Sequence, residues 1–310
     1  MSDTFFTAAP HWTWFIVPYF FVGGLAGGAC FLAAMLTWIG RSEDRPVART
    51  GFLVGFAGAV VSGLLLTLDL GRPERFWHML FQSERLPHLL FKAWSPMSFG
   101  SWALLLFGLF SGLAAIGAVA EEGRLGRWGQ APALRLLQAG PLARASGALA
   151  ACFGFFVAGY TGVLLSVTNR PIWADSPWVG ALFLASGASS GAAVLVLLGS
   201  RRGVAAGSLG RLAAFDARAL LVELVLLVVF LVSLGPVARV WLSGWGVVLL
   251  LGVVLAGIVV PLRLHARSGR AGAAAPVRAA ALVLLGSFLL RLCVMLASEG
   301  ISLHRMAGRL

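Results

Sequence analysis

Eight apolar stretches alternate along the chain with short polar segments rich in arginine and glycine, at about residues 14–40, 51–69, 96–120, 146–167, 177–200, 217–235, 244–263 and 278–298. A bilayer core needs roughly 20 apolar residues of α-helix. Lipid offers no partner to a free backbone N–H or C=O, so each stretch predicts a membrane-spanning helix. Most are broken by small residues. Gly23, Gly24, Gly27 and Gly28 form two overlapping small-xxx-small pairs in the first; Gly51, Gly55, Gly58 and Gly63 line the second, and Gly187 and Gly191 the fifth. That spacing lets helix backbones approach closely. No strand precedes these glycines, so helix packing rather than a phosphate-cradling loop is expected.

The polar segments orient the chain. Those after spans one, three, five and seven hold fifteen arginines, from Arg41 to Arg278, against eight basic residues in the others, from Arg72 to Arg309. The richer side is expected to be cytoplasmic, which puts both termini on the non-cytoplasmic side. Nine of the eleven tryptophans lie at or near that outer face, with only Trp38 and Trp128 opposite. An interfacial belt normally decorates both faces, so the skew suggests extra burial outside, by a ligand or a docked protein. The first thirteen residues have no basic start, and no cleavable signal peptide is expected.

Composition agrees with this class. The chain is 59% hydrophobic and 12% charged, against about 25% charged in a soluble domain. The net charge of +12 sits in loops between apolar spans, so nucleic acid is not an expected partner. Cys30, Cys152 and Cys293 lie inside apolar stretches without metal-ligand spacing. They read as small core hydrophobes, and an iron–sulfur cluster needs four clustered thiolates. The histidines (His11, His78, His88, His265, His304) all fall outside span interiors, which argues against haem. No metal site is expected.

Chemistry gathers instead at two outer motifs, Leu68 to Phe76 and Thr168 to Trp173. Polar, charged and aromatic residues at one end of a greasy helix group suit an amphipathic ligand, and we read them as a quinone site. Quinol oxidation releases two electrons and two protons, so the site needs hydrogen-bond partners and a proton acceptor at near-neutral pH. Asp69 suits that acceptor, or else forms an ion pair with Arg72. His78 is either a proton relay or an interfacial histidine. Tyr160, about two turns inside the boundary, has one hydroxyl in need of a partner. Asn169 and Arg170 either cap the fourth helix's last carbonyls or donate to the ligand. The segment 70–95 predicts two short amphipathic helices, each started by a proline, roofing the space between spans two and three. The segment 121–146 reads as a solvated connection. Glu223 and Arg291 lie deep in the later spans at depths ~12 Å apart, so no direct pair is expected. They are isolated structural charges bonded to backbone, or members of a proton path.

Gly23 to Gly28, Asp69-Leu70-Gly71-Arg72-Pro73 with Arg75-Phe76, Ser95 to Trp102, and Tyr160 to Leu165 with Thr168 to Trp173 together resemble the NrfD-like family, the membrane subunits of polysulfide reductase and related complexes. The resemblance runs from about residue 11 to 200; beyond that only span count and composition match. It implies an all-α integral membrane protein of eight helices in two four-helix bundles, here residues 1–175 and 176–310, in the cytoplasmic (inner) membrane of a bacterium or archaeon. It implies a pocket for menaquinone or ubiquinone among the first four helices, with Tyr160 near the quinone, and no cofactor of the protein's own. It also implies an iron–sulfur (ferredoxin-like) subunit docked on the outer face, usually with a molybdopterin enzyme beyond. The family pattern leads one to expect a polar residue between Trp14 and Tyr19, where the sequence is mostly apolar. The rival classes are a secondary transporter or a purely structural anchor, which would account for Glu223 and Arg291 but not for the outer aromatic motif.

Overall fold

Long helices dominate the computed structural model, which describes Trp12 and residues 14–82, 87–266 and 274–307. In chain order they are α1 (Ile16–Ile39), α2 (Arg45–Asp69), α3 (Pro96–Glu121), the short α4 (Pro132–Gln138), α5 (Pro141–Ser166), α6 (Val179–Arg201), α7 (Ala206–Ser233), α8 (Gly244–Val247), α9 (Val260–Ala266) and α10 (Ala274–Ala307). Between α8 and α9 the helix continues as a π-helix, Val248–Val259. Seven of the resulting rods are long and apolar enough to cross a membrane. An eighth is reached if α7 is counted with the 3-10 helix Gly235–Leu242, which follows at a bend of 110°. The chain is a multi-pass helical membrane protein. Residues 1–11 and 308–310, at the termini whose side was predicted, lie outside the described residues.

The small residues explain the central place of α1, which packs on α2, α5 and α6. A Cβ on Gly154 of α5 would lie 3.1 Å from the Gly27 Cα and 2.8 Å from the Phe107 ring. On the other side, Gly28 faces the Gly187 backbone of α6, where a Cβ would come 3.1 Å from the Ala188 Cα. Helices this close exchange dispersion contacts along their backbones, the attraction available where lipid is as apolar as the protein. Gly24 serves another purpose. A Cβ there would sit 2.6 Å from Nη2 of Arg291, so this glycine leaves room for a guanidinium rather than for a helix.

Several boundaries differ from the hydrophobic pattern for a common reason. The helix α2 begins at Arg45 instead of residue 51, and α7 at Ala206 instead of 217. The added turns carry charges that find partners beyond the apolar zone. Arg49 pairs with Glu121 at 2.7 Å, and Arg211 reaches Glu43 at 2.7 Å and the buried Asp44 at 2.5 Å. Apolar length marks the lipid-crossing part, not the helix. The 121–146 segment is not a plain solvated connection either. It forms the 3-10 helix Gly126–Gln130 and α4, whose Leu137 backbone lies against Gly117 of α3.

The 70–95 segment also departs from expectation. Its first part is a 3-10 helix, Pro73–Met79. In place of a second helix, the backbone folds back on itself: Phe81 pairs antiparallel with Leu89, Leu90 N–H donates to the Leu80 carbonyl at 2.8 Å, and Gln82 N–H donates to the His88 carbonyl at 2.9 Å. Those cross-links consume backbone groups that a helix would need. Trp102 Nε1 donates to the Leu90 carbonyl at 2.8 Å and Lys92 N–H to Ser98 Oγ at 3.1 Å, tying the flap to the first turns of α3.

Candidate functional site

Under that flap lies a cavity of about 660 Å³. Its walls are Ile16, Tyr19 and Phe20 of α1, the Ala59–Leu70 stretch of α2, the Met97–Leu109 stretch of α3, and Tyr160 and Leu164 of α5; Phe76, Met79 and Leu80 form the roof. Most of the lining is apolar. Polar groups collect at the roofed end: Asp69 at the last turn of α2, and the hydroxyls of Tyr160 and Tyr19. The two tyrosines, the only ones in the sequence, lie within electrostatic reach of each other. Thr67 and Ser101 also line the cavity, but their hydroxyls donate to the Gly63 and Met97 carbonyls of their own helices, each at 2.8 Å.

Local packing fixes Tyr160. Its ring stacks on Phe156 with centroids 5.5 Å apart, and its hydroxyl donates to the Pro96 carbonyl in the first turn of α3. That turn is set by Ser95, whose Oγ accepts from the Ser98 N–H, and by Pro96 at the helix start. The hydroxyl end of the ring lies against Gly100, where any Cβ would overlap it. A hydroxyl has one donor and two acceptor positions. With its proton engaged by Pro96, Tyr160 can offer a ligand only an acceptor.

Of the residues singled out from sequence, the cavity gathers Asp69 and Tyr160. Arg72 is exposed beyond the end of α2, and Asn169 is exposed beyond α5. His78 sits on the roof next to Met79 but packs on Trp77, ring centroids 3.9 Å apart, outside the lining. Arg170 is two rings removed. Its guanidinium lies 5.0 Å over Trp173, and Trp173 stacks on Trp12, a cavity residue, at 5.2 Å. The Ile172–Trp173 end of the 168–173 motif therefore faces inward, while Asn169 stays exposed. Ile172 adopts a φ of 72°, rare for a β-branched residue. The turn buries Ile172 and Trp173 completely and lets Trp173 Nε1 donate to the Val294 carbonyl of α10 at 2.9 Å. The outer tryptophan skew thus includes one ring buried by the protein itself.

Tyr19 ends the Trp14–Tyr19 stretch in which the family pattern calls for a polar residue, and it is the polar group that α1 brings to the cavity.

A second polar assembly runs through the later helices. Arg291 of α10 is fully buried, and its guanidinium donates to the carbonyls of Phe20 (3.0 Å), Ser287 (2.9 Å) and Phe183 (3.2 Å) and to Ser287 and Ser186 Oγ (2.7 and 3.1 Å). Ser186 also interacts with the buried Glu223 of α7, which feels the charge of Arg291 without an ion pair between them being formed. Two turns from Glu223, Asp216 accepts from Ser189 Oγ at 2.6 Å and meets His265 Nε2 at 2.9 Å. His265 lies one residue from the end of α9, outside the span interior as the sequence suggests, and its side chain is buried against Asp216. Among the described residues no cluster of three or more His, Cys, Asp or Glu side chains could hold a metal ion.

A family model described as Polysulphide reductase, NrfD matches residues 4–301. The chain belongs to the NrfD family. It is 29% identical to the C component of the polysulfide reductase of Wolinella succinogenes over 276 residues, 82% of each sequence. It is 32% identical to protein NrfD of Escherichia coli over 200 residues, 60% of this sequence and 58% of that one. The C component of the selenate reductase of Mesobacillus selenatarsenatis is 24% identical over 110 residues, 36% of this sequence and 23% of the other. Two of these relatives are named as parts of reductases, so this NrfD-family protein resembles membrane subunits of reductase complexes.

Proposed function

We propose that this protein is the quinone-reactive membrane anchor of a multi-subunit oxidoreductase, exchanging electrons between the membrane quinone pool and a partner iron–sulfur subunit. The observation that carries the reading is the cavity: an apolar body roofed at one end by Asp69, Tyr160 and Tyr19. That is the chemistry of an amphipathic ring with two oxygens and a long tail. Menaquinone and ubiquinone both fit this description. In the oxidising direction a quinol hydroxyl donates to the Tyr160 oxygen and the other ring oxygen lies toward Asp69. Loss of two electrons and two protons converts it to quinone. Asp69 accepts the two protons in turn, and His78, on the roof beside the lining, relays the first toward water before the second is taken up. The electrons pass to a cluster in the iron–sulfur subunit.

That subunit is proposed to dock on the flap end, where Arg72 and Asn169 are exposed, with a molybdopterin enzyme beyond it. The membrane is the inner membrane of a bacterium or archaeon, with the Asp69 end and both termini outside and eight spans in all, the first four (residues 1–175) forming the quinone-binding bundle and residues 176–310 the second. The flap is the surface proposed to be buried by that subunit; Trp173 and Ile172 are already covered within the protein.

The test is a quinone titration of the purified complex combined with steady-state quinol oxidation. Saturable quinone binding and quinol turnover are expected. A complex that binds no quinone, or that moves a solute across proteoliposomes without any redox reaction, would leave the transporter or bare-anchor reading standing.

A second reading concerns protons. The groups from His265 and Asp216 through Glu223 and Ser186 to Arg291 end at the carbonyl of Phe20, a residue of the cavity wall. Buried ionisable groups within a bundle are costly and mark ion or proton pathways. We propose that His265, Asp216 and Glu223 form a proton path in the second bundle, and that Arg291, whose guanidinium stays protonated, ties the path to the quinone site by charge and position rather than by passing a proton.

A further inference from the structure

The cavity is much longer than a headgroup requires. Along α2 its lining runs from Leu70 back to Ala59, and along α3 from Met97 to Leu109. At 1.5 Å per residue these are ~16 and ~18 Å. The polar groups occupy only the flap end; the opposite end is lined by Ala59, Val60, Leu105, Gly108 and Leu109. Where α2 and α3 pass each other the gap between them is kept open by glycine. A Cβ on Gly63 would meet nothing within 4 Å, and one on Gly108 would meet only the Ala59 Cβ at 3.9 Å.

The gap has lipid-facing lips and a definite end. Val60, Leu64, Leu105 and Leu109 are 45–58% exposed although they lie within membrane-spanning helices. One turn deeper, the Phe56 ring closes the gap against Gly112, where a Cβ would come within 3.0 Å of it. The result is a slot continuous with the polar end of the cavity and open sideways to the hydrocarbon.

We propose that the Gly63–Gly108 slot is a lateral gate and cradle for the isoprenoid tail of the quinone. The substrate class is thus a long-tailed, bilayer-dissolved quinone that enters from the membrane between α2 and α3. The headgroup travels along the slot to Asp69 and the tail remains in it. This rests on the quinone reading above but goes beyond it, since a headgroup site alone would not need the slot. An acyl tail of a bilayer lipid is the competing occupant.

The experiment fills the slot from its floor. Gly63→Leu and Gly108→Leu each place side-chain volume where the structure has space, so neither opposes folding of the helices. The intact complex is assayed with a quinol carrying a long isoprenoid tail and with a tail-less quinol of the same ring. The expected result is that kcat/KM for the long-tailed quinol falls at least tenfold relative to the tail-less one. Gly210→Leu, at another glycine with open space around its Cβ position, should keep the wild-type ratio. An unchanged ratio in Gly63→Leu and Gly108→Leu overturns the slot and assigns it to ordinary lipid. Equal losses for both substrates overturn it too, because the substitution would then be acting at the headgroup. A wild-type complex that oxidises neither substrate refutes the quinone reading itself and removes the basis of the slot.

Discussion

Replacing Tyr160 by phenylalanine removes one oxygen atom and leaves the ring in place between Phe156 and Gly100. Two interactions are lost. The donated bond to the Pro96 carbonyl is internal, and a typical neutral hydrogen bond contributes about 0.5–1.5 kcal/mol. Stability of the complex should fall by no more than that, because the ring's apolar contacts persist. The accepted bond from a quinol hydroxyl is the second loss, with a similar range of about 0.5–1.5 kcal/mol. At 1.36 kcal/mol per factor of ten, that is roughly 2- to 13-fold in quinol affinity. The direction is specific. Because the Tyr160 proton is held by Pro96, the oxygen can accept from a quinol but has nothing to donate to a quinone. Tyr160→Phe should therefore raise KM for quinol about 2- to 13-fold and leave the inhibition constant of the quinone product close to wild type. The assay is steady-state quinol oxidation by the intact complex with product inhibition measured in parallel. Equal weakening of quinol and quinone would refute the engaged-proton reasoning, and unchanged kinetics would reduce Tyr160 to packing.

The other substitutions address different links. Asp69→Asn keeps size and hydrogen bonding but cannot take up the proton, so kcat should fall far more than quinone affinity; normal turnover in an assembled complex would demote Asp69 to a helix-end residue. Gly24→Ala puts a methyl 2.6 Å from Arg291 Nη2. Overpacking of this kind costs about 1–3 kcal/mol, visible as a lower melting temperature in detergent, and Gly24→Ala combined with Arg291→Met should lose less than the two single losses together. Asp216→Asn keeps an acceptor for Ser189 but breaks the proton file at His265. Quinol oxidation in detergent should persist while the protons translocated per electron in proteoliposomes, beyond the one per electron released by the quinol itself, fall; an unchanged ratio would sink the proton path.

A polar residue that interrupts an apolar run near its end is visible in the sequence without any structure. Asp69 and Tyr160 stood out this way, and both line the cavity. For α1 the family pattern marked the stretch Trp14 to Tyr19 but not the residue, because position within a span says nothing about helix face and α1 is buried on several sides at once. Arg170 and Asn169 were read from their adjacency to a helix end as caps or ligand donors. The left-handed turn at Ile172, which no pattern announces, sends the following tryptophan inward and leaves Arg170 stacked on it. The pairing of Asp216 with His265 joins residues 49 apart and depends on α9 running past its apolar part. Depth along the sequence also set Glu223 and Arg291 apart, and they form no direct pair; the shared neighbour, Ser186, comes from a third helix that depth arithmetic cannot see. The helices themselves were legible because the bilayer admits so few alternatives. The flap was not, because a segment at the interface can satisfy its backbone by pairing as readily as by coiling.

The bonds made by Arg291 also bear on how the protein is built. A guanidinium at the centre of a helix makes that helix a poor candidate for insertion by itself, by ~2.5–3.5 kcal/mol on insertion scales. In the finished protein its donors are taken up by the Phe20 carbonyl of α1 and by Phe183 and Ser186 of α6. Both helices precede α10 in the sequence and so leave the ribosome first. The expected order of biogenesis follows: α10 settles in the bilayer once α1 and α6 are together to receive its charge. A defect in how those two helices meet would appear as a failure of the C-terminal helix to integrate.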